Sequence, residues 1–171
     1  MTEEFVKNSI IKYLSRKEWG TNLQFGSLRE RGVDIKVRHN RYSRYFLIEC
    51  KGQGIGRSSS EVAFVYSLGQ IISRMKSGDT TRYYYGLGLP EIYAKIALRR
   101  LPWQVAKKLL LYVFSVDQNG NVKQHSWQDL KKKQEIKNNK VFWASGIHPF
   151  NFPLPFAQNG KRNLKIFKNN K

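Results

Sequence analysis

The chain has 171 residues, 40% hydrophobic and 13% aromatic, a globular composition of a size suited to one domain with a substantial core. Its 31 lysines and arginines against 12 acidic residues leave a formal charge of +19, which points to a polyanionic partner, nucleic acid first. The single cysteine, Cys50, excludes an internal disulfide and argues against structural zinc, and the longest apolar run, Leu109 to Phe114, is far too short to span a bilayer.

The opening MTEEFVKN has neither the basic nor the apolar region of a signal peptide, so a cytoplasmic protein with no membrane partner is expected. Thr2 to Trp19 reads as a helix capped by Thr2, with Val6, Ile10, Tyr13 and Leu14 at helical spacing. Glu3 falls on the Val6, Ile10, Leu14 side, and Glu4 leans towards Lys7 and Ile11. A short strand is expected around Leu23 to Phe25.

Val33-Asp34-Ile35-Lys36-Val37-Arg38 alternates apolar and polar residues as a half-buried strand does, and Tyr45 to Lys51 is a second strand. The short connection His39 to Arg44 makes them an antiparallel hairpin. A symmetric loop places Val33 opposite Cys50, Ile35 opposite Ile48 and Val37 opposite Phe46, on one apolar face. The same register sets Asp34 against Glu49 on the other face, and a one-residue slip would mix the two faces. Directly opposed carboxylates repel, so this pair asks for a cation.

Gly52 to Arg57 is a turn-rich loop without phosphate-loop spacing. Ser58 with Glu61 resembles a capping box opening a helix to about Ser77. Val65, Leu68, Ile72 and Met75 are its expected core stripe, with Ser67, Gln70, Arg74 and Ser77 on the polar side. A strand from Arg82 to Leu89 ends at Pro90. Helices follow over Glu91–Arg99 and from Pro102 to Lys108, then a strand from Leu110 to Val116 that Asn119-Gly120 turns towards Val122. Ser126-Trp127-Gln128-Asp129 opens a short basic helix. Residues 1–140 are read as one α/β domain and 141–171 as an aromatic, proline-containing basic C-terminal extension of it.

On that outline stand Glu3, Asp34, Glu49, Lys51 and Gln70. The texts Thr2-Glu3, Gly32-Val33-Asp34-Ile35, Ile48-Glu49-Cys50-Lys51-Gly52 and Leu68-Gly69-Gln70 together resemble the PD-(D/E)XK nuclease superfamily over roughly residues 2 to 117. They look most like its Holliday-junction-resolvase-like and Mrr-like branches. Val33 stands where that superfamily often has proline. The resemblance implies a restriction-endonuclease-like core, a mixed central β-sheet flanked by helices, and a metal-dependent DNA endonuclease of restriction, repair or junction-resolving type. Its substrate would be double-stranded or branched DNA, and double-strand or junction cleavage would call for a homodimer.

Carboxylate oxygens are hard ligands for Mg²⁺, with Mn²⁺ as a substitute, and such a metal activates water and stabilises charge on a phosphate. Asp34 and Glu49 are the expected ligands, with the Cys50 backbone carbonyl and Glu3 completing the set; Glu4 is the rival to Glu3. Lys51, projecting from the Glu49 face, is placed to orient or deprotonate the attacking water or to stabilise developing charge. The resemblance gives Gln70 the part of orienting a water, a ligand or the nucleic-acid backbone. The Cys50 side chain is read as a small core hydrophobe, and His39, His125 and His148, without ligand spacing, as surface or loop residues. Arg29, Arg31, Arg41, Arg44, Arg57 and Arg74 are the expected phosphate contacts. The other reading is a non-catalytic or partner-dependent DNA-binding subunit with the same fold, and RNA stays open as the substrate.

Overall fold

The structure, a computed structural model, describes residues 1–20, 33–54, 58–76 and 82–144, with backbone alone at 58–60 and 137–144. The chain divides into two compact units, Met1–Lys137 and Asn138–Lys171. The first holds the whole sheet; the described part of the second is the last turns of one helix. Expectations for Leu23 to Phe25 and for the C-terminal prolines fall outside the described residues.

The described elements run α1 (Glu3–Ser15), β1 (Ile35–Arg38), β2 (Tyr45–Cys50), α2 (Ser58–Ser73), β3 (Tyr83–Pro90), α3 (Glu91–Arg100), α4 (Trp103–Lys108), β4 (Leu111–Val116), β5 (Val122–His125) and α5 (Trp127–Ala144). The strands form one mixed sheet in the order β1-β2-β3-β4-β5. The outer pairs β1/β2 and β4/β5 are antiparallel, and the inner pairs β2/β3 and β3/β4 are parallel. The protein is thus an α/β chain with a five-stranded mixed sheet packed against helices. Parallel neighbours need crossovers, which α2 supplies between β2 and β3, and α3 with α4 between β3 and β4. Both crossovers advance the same way across the sheet, so one handedness puts their helices on one face.

The hairpin register is the expected one, Ile35 opposite Ile48 and Val37 opposite Phe46. Alternation then sorts the side chains into two cores. Phe46, Ile48 and Cys50 join Val6, Ile10 and Leu14 of α1 on one face. Leu47, Leu87 and Leu89 join Phe64 and Ile71 of α2 and Ala94, Ala97 and Leu98 of α3 on the other. Each large apolar side chain so buried contributes roughly 1.5–3 kcal/mol. Thr2 caps α1, its hydroxyl accepting from the Phe5 N–H at 3.2 Å.

Three expectations are corrected. The α2 core stripe is Phe64, Ser67 and Ile71, with Leu68 and Met75 half-buried, whereas Val65 and Ile72 are 59% and 45% exposed. Apolar composition at helical spacing marked two candidate stripes, and the packing chose the one carrying Phe64. The helix opened by Ser126 is not short: α5 has 18 residues, started by Asp129 accepting from the Ser126 N–H and hydroxyl. His125 is a buried residue of β5, 3% exposed, with Nε2 3.2 Å from the Ser115 Oγ. Burial, with Lys133 and Lys123 nearby, pushes it down to about 4, so it is a neutral core imidazole near pH 7. His39 is half-buried against Trp19, and His148 lies outside the described residues.

Candidate active site

Parallel β2, β3 and β4 all end on one edge of the sheet, the edge where open α/β sheets place their ligands. Glu49 is the penultimate residue of β2 on that edge. It does not sit on a solvated strand face, because α2 and α3 cover that face and leave it 1% exposed. A carboxylate so buried needs partners. Lys51 Nζ lies 3.3 Å from Oε1, and the Arg74 guanidinium, from the turn after α2, donates to Oε2.

Asp34, one residue before β1, accepts the Cys50 N–H on Oδ2 at 2.7 Å. The extra hydrogen bond fixes the carboxylate where the ladder ends, beside the backbone that carries Glu49 and Lys51. Burial first, and the negative charge of Asp34 second, push Glu49 up to about 7 against the opposing pull of Lys51 and Arg74. The sheet therefore holds two carboxylates close enough to repel, as the register predicts.

Glu3 joins them from α1: its Oε2 is 3.5 Å from Lys51 Nζ. Glu4 is exposed and makes no such contact among the described residues. Gly52 explains the approach. A Cβ there would lie 2.6 Å from the Glu3 backbone nitrogen, so only glycine lets the start of α1 rest on the end of β2. The Gln53 N–H, donating to the Met1 carbonyl at 2.8 Å, fastens the contact.

Burial alone would lower the Lys51 ammonium, but Glu49, Glu3 and Asp34 together raise it. Lys51 is therefore a fixed cation at neutral pH, 19% exposed, with Nζ 5.7 Å from the Tyr66 ring. Tyr66, Gln70 and Arg74 follow at four-residue intervals, one face of α2 and its terminal turn. Tyr66 and Arg74 both reach the Glu49–Lys51 pair, and Gln70 stands between them in sequence with a buried Oε1 that has no hydrogen-bond partner among the described residues.

Among the described residues no three His, Cys, Asp or Glu side chains are grouped tightly enough to hold a metal ion. That grouping is more than magnesium requires, since Mg²⁺ is commonly held through one or two carboxylates and keeps several waters. Asp34 and Glu49 are two such carboxylates in mutual repulsion, and the unpartnered Gln70 oxygen is a further hard acceptor. The residues present fit a small divalent cation.

Comparison with known proteins finds no matching family model, no matching curated protein and no matching solved structure. The site therefore rests on its own geometry.

Of the expected phosphate contacts among the described residues, Arg41 and Arg44 lie away from it and Arg74 lies at it. Arg41 pairs with Glu18, and the Arg44 guanidinium lies over the Tyr84 ring at 5.5 Å, both next to the start of β2, at the opposite end of that strand from Glu49. Arg74 turns inward to Glu49, while Arg29, Arg31 and Arg57 lie outside the described residues. The Cys50 side chain is fully buried on the α1 face, where burial and the three surrounding carboxylates push its thiol well up, so it is no nucleophile. Sequence reasoning missed three contributors: Arg74 as the Glu49 partner, Tyr66 beside Lys51, and Gly52 as the seat of Glu3. The four-residue spacing of Tyr66, Gln70 and Arg74 was the available signal for two of them.

Proposed function

We propose that the protein is a metal-dependent DNA endonuclease with a restriction-endonuclease-like core, hydrolysing phosphodiester bonds at the β2 edge of its sheet. The observation that carries the reading is the buried Glu49 carboxylate, held against Asp34 and beside the fixed ammonium of Lys51. A soluble α/β core has no structural use for two repelling carboxylates at a strand end, and such clusters mark sites of chemistry.

Asp34 and Glu49 would hold Mg²⁺, with Gln70 and the Cys50 carbonyl within the same edge; the ion would supply charge neutralisation at phosphate and an acidified water. Lys51, kept protonated by its three carboxylate neighbours, acts as a cation towards the charge that develops on a phosphate oxygen rather than as a base. Glu3 holds that ammonium in place from α1. Arg74 balances Glu49 and leaves it free lone pairs, since a carboxylate has about four acceptor positions. The high positive charge of the chain suits a polyanionic substrate.

Incubation with supercoiled plasmid and with a synthetic four-way junction, in Mg²⁺, Mn²⁺ or EDTA, tests the reading. Cutting with either metal and none in EDTA supports it. Tight binding without cutting in any metal favours the second reading, a partner-dependent DNA-binding subunit.

A further inference from the structure

Away from the carboxylates, a recess of about 280 Å³ opens between α1 and the β4–β5 turn. Ser9, Lys12, Tyr13 and Arg16 wall one side, and Asn119 and Asn121 the other. Ser9, Lys12 and Tyr13 of α1 and its C-cap Arg16 recur at the spacing of a single helix face. The turn opposite is rigidly built: Asp117 accepts from the Asn119 N–H at 2.9 Å, from the Asn121 N–H at 2.8 Å and from the Asn121 side-chain amide at 2.8 Å. Gly120, at φ +79°, brings the turn so near α1 that a Cβ would lie 3.2 Å from Ser9 Oγ.

Lys12 and Arg16 are exposed, one helical turn apart, and neither is ion-paired among the described residues. Like charges at that spacing repel. The C-terminal end of α1 favours cations, which offsets part of the cost, but it does not account for a preformed recess in front of them. Asp117, the acid of that turn, spends its oxygens on the turn itself. The recess thus presents two positive charges beside the Ser9 and Tyr13 hydroxyls, which donate to the Phe5 carbonyl and to Gln124, and its volume lies near the lower end of the roughly 300–1,000 Å³ usual for small-molecule pockets. Its chemistry is that of a site for part of an anionic polymer.

We propose that this recess holds a backbone phosphate of the bound nucleic acid, an inference that rests on the nuclease reading. Along α1, Lys12 and Arg16 stand about 13 and 20 Å from Glu3 at a rise of about 1.5 Å per residue. At about 3.4 Å per nucleotide along one strand, that places the anchored phosphate about four to six steps from the bond at the carboxylates. Such a contact sets the register of the duplex without reading its sequence.

The test is the salt dependence of binding to a labelled 30-base-pair duplex and to a four-way junction, in EDTA so that nothing is cut. Lys12→Ala/Arg16→Ala is compared with wild type and with Lys107→Ala/Lys108→Ala, which removes equal charge from α4; Lys12→Gln/Arg16→Gln is a second version, and a melting curve checks each fold. The expected result is a log–log salt slope shallower by about 0.9, the loss of one phosphate contact, for the α1 pair alone. An unchanged slope, or an equal drop in the α4 pair, overturns the site while leaving the nuclease reading standing. Saturable binding of inorganic phosphate, lost in the α1 variants while their duplex slope is unchanged, overturns it in favour of a free-phosphate site. Wild-type protein that binds neither DNA overturns both.

Discussion

Arg74 and Glu49, twenty-five residues apart in the chain, meet as an ion pair in which the carboxylate is 2% exposed and the guanidinium 28%. The pair ties the end of α2 to the end of β2. Removing the arginine leaves Glu49 buried with Lys51 as its remaining cation. Arg74→Ala should cost about 1.5–3 kcal/mol at pH 8, where the carboxylate is ionised, and clearly less at pH 5, where it takes up a proton. Denaturant titrations at the two pH values measure this, and an equal loss at both would mean the pair is not electrostatic in its effect.

Two buried groups give opposing pH dependences in metal-free protein. Glu49, raised to about 7, binds its proton more tightly folded than unfolded, so its contribution to stability is lost as pH rises from about 4.5 to 7. His125, lowered to about 4, does the reverse: its contribution is complete above about 6.5 and lost as pH falls to 4. Each is worth ~3 kcal/mol at ~1.4 kcal/mol per pH unit, so over pH 4.5–6.5 the two largely cancel. Glu49→Gln should therefore gain on wild type by ~3 kcal/mol between pH 4.5 and 7 in EDTA. A constant difference across that range would show that Glu49 titrates as an ordinary exposed carboxylate.

Gly52 carries the contact between α1 and β2. Gly52→Ala puts a methyl group 2.6 Å from the Glu3 nitrogen, so the start of α1 must shift. The expected cost is about 1–3 kcal/mol, with Glu3 withdrawn from Lys51. Thermal unfolding checks the first part. The second is checked by adding Glu3→Ala, which should cost less in the Gly52→Ala background than in wild type.

Much of the sheet and the centre of the site were legible in the sequence, because a period of two is a strong constraint. Once Ile35 and Ile48 share an apolar face, Asp34 and Glu49 must approach each other on the opposite one, and the ladder has that register. Burial was less legible. The sequence presents Glu49 in an apolar run without saying which helix covers that face of the sheet, and the face packs against Phe64 and Ile71, one position away from the stripe that Val65 and Ile72 suggest. Arg74 reads as a surface cation because its partner lies on another element: the four-residue spacing puts it on one helix face with Tyr66 and Gln70 without saying that this face meets Glu49. His125 failed for the same reason: its polarity suggests the surface, while the cross-strand pairing of Val113 with His125 draws it into the core.

Divalent binding has a readout apart from cutting. Mg²⁺ or Mn²⁺ at 100 times its dissociation constant should stabilise wild type by about 2.7 kcal/mol. The effect should be larger at pH 8 than at pH 5, because the carboxylates must be ionised to bind. Asp34→Asn and Glu49→Gln should abolish it. Stabilisation that persists in both variants would locate the cation elsewhere.

The most direct measurement is plasmid and junction cleavage in Mg²⁺ by wild type, Asp34→Ala and Lys51→Ala, each shown to be folded. The account requires wild-type cutting that EDTA stops and that each substitution reduces by about 10²–10³-fold or more. Cutting that survives both substitutions would contradict it, because the chemistry would then lie outside the edge where Asp34, Glu49 and Lys51 meet.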